Sequence, residues 1–153
     1  QPKSLYKELF RLGWFNNPRV LKAFGSDDDY QNFVRSQDSC VSGQFPVEFA
    51  HVRRIENGSG TGIKPEYSGV PLTHEEHMQQ HNEGESALGG REYFDKQLVK
   101  YRQAWIKSVL YEHFGVESLS DIDQAEFYAY LISLGIEDTL PMSAMAILDR
   151  VPA

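Results

Sequence analysis

Apolar side chains recur at helical spacing near the start of this chain. In residues 4–15, leucines three and four positions apart form one stripe, which Asn16-Asn17-Pro18 interrupts. Residues 26–37 show a second helical pattern that opens with a serine and a run of aspartates, and these favour the positive end of a helix dipole. The pattern predicts two short helices in this part of the chain.

The longest helical pattern begins at Arg91 and stops at Gly115. Its apolar stripe consists of Phe94, Leu98, Tyr101, Trp105 and Val109. A further helix is predicted over residues 118–136, between a Ser/Asp start and a glycine stop, and the tail through Pro141 is expected to hold one more turn.

The pattern of residue types changes between these helical segments. Residues 40–55 contain a Ser-Gly turn followed by β-branched and aromatic side chains, which predict strand structure, and residues 67–72 predict a second short strand. The glycine-rich stretch ENGSGTGIKP (56–65) is predicted to be the loop between them. The fold class expected from the whole pattern is α+β and mostly helical.

A helix is predicted to begin directly after the second strand. Thr73 and Glu76 have the T-x-x-E spacing of a capping box, so Thr73 is the expected N-cap and His74 the first helical residue. Residues 82–86 (NEGES) and the glycines that follow predict its end.

Three of the five histidines lie on this predicted helix, within PLTHEEHMQQH (71–81). His77 and His81 are one turn apart, and His74 projects within about 20° of His81, so all three can face one point. Neutral imidazole is the commonest metal ligand in proteins. The run lacks the H-E-x-x-H order of zinc proteases, so the pattern predicts a different metal site, with positions open to water or substrate.

Composition limits the other possibilities. A length of 153 residues with 41% hydrophobic content suits one compact domain, or one small domain with helical additions. The single cysteine, Cys40, excludes an internal disulfide and any zinc site with two cysteines from this chain. A single cysteine fits a reducing, cytoplasmic setting. No apolar run approaches the roughly 20 residues that span a membrane, and the start lacks a signal-peptide core.

The net charge of −7 is concentrated in one part of the chain. Residues 111–153 carry one Arg against eight Asp and Glu, which accounts for −7, while the remainder is nearly neutral. Nucleic acids respond to local patches of charge, and a bound divalent cation would make the histidine segment positive. The acidic total therefore does not exclude DNA as a partner.

Several segments in order, CVSG, VEFAHVRR, GTGIKP and VPLTHEEHMQQHNEGE, resemble the HNH endonucleases. The similarity is closest to the phage and prophage branch of Ref-type recombination-enhancement nucleases. It covers residues 38–90 and implies a small ββα-metal unit, also called a His-Me finger. The helical segments 1–37 and 91–153 would flank this unit on either side.

The resemblance implies roles for particular residues. His51, at the strand end, takes the position of the general base that activates water, and His77 and His81 take those of metal ligands. One divalent ion (Mg²⁺, Mn²⁺ or Zn²⁺) would stabilise charge on the scissile phosphate, and no organic cofactor is expected. A base that titrates near neutrality can accept the proton of the attacking water.

Two positions depart from the family pattern. Ala50 stands where many members have a His or Asp ligand before the base, so the third ligand is open between Glu48, His74 and water. A carboxylate there would favour Mg²⁺ or Mn²⁺, whereas an all-histidine site would favour Zn²⁺ or Ni²⁺. Thr73 stands where relatives often carry Cys, so no structural zinc knuckle is expected.

Three cations near the predicted site are candidates for binding the DNA backbone: Arg53, Arg54 and Lys64. The resemblance therefore implies a DNA-hydrolysing enzyme of a phage, prophage or bacterial host, with a recombinase as a partner. Two other interpretations stay open. One is a non-catalytic, metal-stabilised DNA-binding or interaction module, and the other is a helical adaptor whose acidic C-terminal third binds a protein.

Overall fold

The computed structural model describes residues 4–54 and 65–148, which form a mostly helical α+β protein with a two-stranded antiparallel sheet. The coarse fold class predicted from the sequence is thus confirmed. In chain order the elements are α1 (Leu5–Arg11), α2 (Pro18–Phe24), α3 (Asp27–Arg35), β1 (Glu48–His51), β2 (Gly69–Leu72), α4 (His74–Glu83), α5 (Arg91–Phe114), α6 (Gln124–Ser133) and α7 (Met142–Leu148).

Contacts divide the chain into two compact units. One consists of residues 26–102, and the other combines residues 1–25 with 103–153. Helix α5 supplies residues to both units. The functional division expected from the sequence, 1–37, 38–90 and 91–153, stays a prediction.

The unit of residues 26–102 is built around the sheet. Strands β1 and β2 pair with Ala50 opposite Val70 and His51 opposite Gly69. The Phe49 ring covers Gly69 so closely that a Cβ there would lie 2.1 Å from its Cζ atom. Tyr30 of α3 meets the Phe49 ring edge-on and donates its hydroxyl to the Gly69 carbonyl at 2.8 Å. Helix α3 and the strands therefore share one buried cluster.

The unit of residues 1–25 and 103–153 is held by contacts between distant parts of the chain. Trp14 donates its indole N–H to the Thr139 hydroxyl at 2.8 Å. Arg19 forms an exposed ion pair with Asp138 at 2.7 Å. The fully buried side chains of this unit include Leu9, Val20, Phe127 and Leu131. The segment before Gly25 is thus fixed by residues far along the sequence.

Two N-terminal details differ from the sequence prediction. The helix predicted over 4–15 ends at Arg11, because Gly13 adopts a left-handed conformation (φ 69°) before a short 3₁₀ turn. The interruption at Asn17-Pro18 also starts a helix that was not predicted, α2. Asn17 caps the Arg19 N–H, and proline suits the first helical position because it lacks an N–H.

Other boundaries are narrower than the patterns predicted. Only four residues of each predicted strand pair as strand, and the helix predicted over 118–136 is a 3₁₀ turn followed by α6. The predicted loop 56–65 lies outside the described residues except for Pro65. The capping box of Thr73 and Glu76, the extent of α5 and a helix after Pro141 are confirmed.

Within residues 4–54 and 65–148, none of the helices combines the length and the apolar character needed to cross a membrane.

We predict that Gly69→Ala destabilises the protein by about 1–3 kcal/mol, because the new methyl group overlaps the Phe49 ring. Urea unfolding of the single variants, Gly69→Ala and Phe49→Leu, and of the double variant would measure the coupling. The smaller leucine should relieve part of the overlap, so the double variant should lose less than the two single losses combined. Simple additivity would contradict this account of the contact.

Candidate functional site

The carboxylate of Glu48 joins strand β1 to helix α4. Its two oxygens lie 2.9 Å from Nδ1 of His74 and 2.9 Å from Nδ1 of His77. An ionised carboxylate can only accept hydrogen bonds, so both imidazoles donate their Nδ1–H to it. In the neutral imidazoles, Nε2 then carries the free lone pair. This is the arrangement by which carboxylates orient histidine ligands for a metal.

The same hydrogen bonds change the acidity of the carboxyl group. Those from His77 and His74 hold the pKa of Glu48 below its ordinary value. The side chain of His74 is 71% exposed, whereas that of His77 is 21% exposed. His77 is therefore the more firmly placed of the two imidazoles.

His77 and His81 lie side by side on α4. Their ring centroids are 4.9 Å apart and the ring planes meet at 33°. Within the described residues, no group of three or more His, Cys, Asp or Glu side chains is gathered as a ready metal site. The donor chemistry nevertheless fits a divalent ion: two imidazoles on one helical face, oriented in part by Glu48, with other positions left for water and substrate. Ala50 is fully buried and supplies no donor.

The start of helix α4 is anchored by its capping box. Glu76 accepts from the Thr73 N–H at 2.8 Å and also from the Ser39 hydroxyl at 2.6 Å. Burial raises the pKa of Glu76, but the hydrogen bonds from Ser39, Ser42 and Thr73 lower it by more. The helix that bears the histidines is thus tied at its first turn to the loop before β1.

His51 lines an open cavity together with His77 and His81. The cavity has a volume of about 810 Å³, within the range of ligand-binding clefts. The His51 ring packs edge-on against Phe49 at 5.0 Å between centroids. Gln80 of α4 donates to the His51 carbonyl at 3.2 Å and so ties the strand end to the helix. Strand and helix histidines therefore face the same space.

Among residues 4–54 and 65–148, the charged side chains that line the cavity are three arginines, one aspartate and one glutamate. Arg54 is engaged by acidic neighbours, since it contacts Glu85 at 2.8 Å and Asp95 at 2.9 Å, and its side chain is only 13% exposed. It braces the wall of the cavity in this arrangement. Arg53 and Arg35 are exposed. Their guanidinium groups are the better-placed cations for an anionic substrate.

Arg35 was missed by the sequence reasoning, as were Gln31 and Gln80. Along α3, Gln31 donates to Asp27 at 2.8 Å and Arg35 donates to Gln31 at 2.9 Å. The Arg35 guanidinium also lies 5.9 Å from the centroid of the Phe49 ring. The sequence signal for Gln31 and Arg35 was their four-residue spacing with Asp27, which places the three polar side chains on one face of α3.

Two other residues singled out from the sequence need separate comment. Lys64, expected to contact DNA, lies outside the described residues. Cys40 is half-buried, and burial raises the pKa of its thiol to about 12. A thiol with such a pKa is a poor nucleophile at neutral pH. Its partial burial and raised pKa favour a packing role for Cys40 over a nucleophilic one.

No protein-family model matches this chain, and no curated protein sequence or solved structure matches it either.

We predict that Glu48→Gln weakens binding of Zn²⁺ or Mn²⁺ by about 10–100-fold, the range found when a carboxylate behind a histidine ligand is removed. A glutamine has one acceptor oxygen, so it cannot orient both imidazoles. Isothermal titration calorimetry would measure the affinity. Glu75→Gln, an exposed position on the same helix, is the matched control. Equal affinities for the two variants would refute the role given to Glu48.

Proposed function

We propose that this protein is a metal-dependent endonuclease of the HNH type that hydrolyses phosphodiester bonds in DNA. The observation that carries the proposal is the shared cavity: His51 from β1 and His77 and His81 from α4 line it together with arginines. The order of elements, two antiparallel strands followed by a helix, agrees with a ββα-metal unit. The resemblance of residues 38–90 to the Ref-type nucleases supports the same function.

His51 is the proposed general base. Its imidazole is half-buried at the cavity wall, and histidine is the side chain that most often serves as a general base. The edge-on contact with Phe49 restricts its ring, while Gln80 holds its backbone. These contacts would keep the base aimed at the substrate during proton transfer.

His77 and His81 are the proposed metal ligands, with Glu48 as the carboxylate that orients His77. His74 shares that carboxylate but is mostly exposed, and water or His74 would complete the site. A divalent ion bound there would neutralise charge on the scissile phosphate and on the leaving oxygen. Arg35 and Arg53 would bind flanking phosphates, since guanidinium groups match phosphate geometry.

The partner is therefore proposed to be DNA, and a recombinase partner and a cytoplasmic location in a bacterial host follow from the resemblance alone. The acidic C-terminal third has no assigned part in this chemistry.

We predict that the purified protein nicks plasmid or single-stranded DNA in Mg²⁺, Mn²⁺ or Zn²⁺ and that EDTA stops the reaction. His51→Ala should lower the cleavage rate by at least about 10²-fold, the usual contribution of a general base, without changing metal stoichiometry. The double variant His77→Ala/His81→Ala should lose both cleavage and bound metal. Gel assays and metal analysis give these two readouts.

His113→Ala is the matched control, because His113 stacks on Tyr130 in the other unit and does not line this cavity. It should cut at the wild-type rate. Absence of nicking with every metal, or full activity of His51→Ala, would refute the nuclease proposal. Retained metal without cleavage in the wild type would instead favour a non-catalytic, metal-stabilised module.

We predict that Arg35→Gln raises KM for DNA about tenfold and changes kcat little, because a flanking phosphate contact contributes to binding rather than to the bond-breaking step. Steady-state cleavage of a labelled oligonucleotide would separate the two constants. Arg19→Gln, whose arginine pairs with Asp138 outside the cavity, is the control. An unchanged KM for Arg35→Gln would remove Arg35 from the DNA-binding surface.

A further inference from the structure

A second cavity, of about 520 Å³, lies within the unit of residues 1–25 and 103–153. Helix α1, helix α5 and the 3₁₀ turn Leu119–Asp121 with the residue before it contribute its walls. The side chains from α5, Gln103, Lys107 and Tyr111, are spaced four residues apart and so lie on one face of the helix. Nothing in the proposed nuclease function uses this cavity.

The charged side chains in the described lining of this second cavity are all cationic. The described residues that line it include Lys7, Arg11 and Lys107 and no Asp or Glu. Arg11 is paired with Glu8 at 2.7 Å, whereas Lys7 is exposed and Lys107 lies over the Phe10 ring at 5.6 Å. Lys7 and Lys107, which no carboxylate in the described lining faces, therefore form a local anion-binding surface.

Aromatic rings and hydroxyls complete the lining. Tyr6, Phe10 and Tyr111 contribute rings, and Ser118 and Ser120 contribute hydroxyls that lie 2.9 Å from each other. Planar bases stack on such rings with little regard to sequence, while lysines and hydroxyls bind the phosphate beside the base. An inorganic anion would make no stacking contact with the rings, and an apolar ligand would leave the lysines without a charged partner.

We propose that this second cavity binds one nucleotide unit, with its base against Tyr111 and its phosphate on Lys107 and Lys7. The nucleotide can belong to a single strand or be a free mononucleotide, and both share this chemistry. A base inside a duplex cannot stack there, because its faces are covered by its neighbours. The site does not depend on the proposed nuclease function, since its residues and its unit are separate from those of the histidine cavity.

The first test is binding of a labelled oligothymidylate of about 12 nucleotides, a length within common single-strand site sizes, by fluorescence anisotropy. EDTA is present throughout, so that cleavage and metal-dependent binding are absent. We expect Lys107→Gln to weaken binding about tenfold and to reduce the slope of log affinity against log salt by about 0.7, the value for one lost phosphate contact on a single strand.

Lys100→Gln is a closely matched control. Lys100 is on the same helix and also lies over an aromatic ring, at 5.5 Å from the Tyr101 centroid, but does not line the cavity. It should bind as the wild type does. Equal loss in the two lysine variants, or no loss in Lys107→Gln, would overturn the proposal.

The second test follows the base itself, through the fluorescence of 2-aminopurine placed in the same oligonucleotide. Tyr111→Phe should keep the quenching that stacking produces, and Tyr111→Leu should remove it while circular dichroism shows an unchanged fold. Quenching that survives in Tyr111→Leu would overturn the assignment of the base.

Competition experiments identify the source of the nucleotide. Displacement of the oligonucleotide by thymidine monophosphate at similar concentrations of nucleotide would indicate a free nucleotide, and displacement only by unlabelled single strands would indicate a polynucleotide. Binding of a fully paired duplex more tightly than the single strand, or no binding of any of these, would refute the site.

Discussion

The close contact between the Phe49 ring and the backbone of Gly69 determines where the candidate catalytic side chains can be. A residue larger than glycine cannot occupy position 69 without displacing that ring. Tyr30 of α3 contacts both residues, since its ring packs edge-on against Phe49 and its hydroxyl donates to the Gly69 carbonyl. Strands β1 and β2 therefore pair in a single register. A slip of one residue would turn every side chain of β1 to the other face. The position of His51, and that of Glu48 beside α4, both follow from this packing.

The local charge of each cavity is a better guide to the ligands it suits than the net charge of the chain. The chain is acidic overall, yet each unit contains a cavity with a surplus of cations among the lining residues that the structure describes. In the unit of residues 26–102, Arg54 forms ion pairs with Glu85 and Asp95, whereas Arg35 and Arg53 are exposed. Screening by salt limits such interactions to about a Debye length, roughly 10 Å, so a polyanion responds to exposed cations of this kind more than to the net charge of the whole chain.

The features that could be predicted from the sequence are those set by neighbouring residues. The capping box at Thr73, the four-residue spacing of His77 and His81 and the apolar stripe of α5 are all local patterns, and the structure bears out the helices that they indicated. Helix α2 was missed because Asn-Pro is typical both of a turn that interrupts a helix and of the first residues of a new helix. The hydrogen bonds of Glu48 to the α4 histidines, and the position of Arg35 beside the Phe49 ring, join elements that are distant in the sequence. The spacing of residues along a single element cannot predict such contacts.

The unit that contains the histidine cavity is one continuous stretch, residues 26–102, whereas the other unit is assembled from both sides of it. During synthesis on the ribosome the chain emerges in order, and domains generally fold as units when their residues are available. The stretch with β1, β2 and α4 is complete before residue 103 is made. Trp14 and Arg19, in contrast, must wait for Thr139 and Asp138. The candidate active site is therefore expected to form early, while Trp14 and Arg19 remain without these partners until residues 138 and 139 have been made.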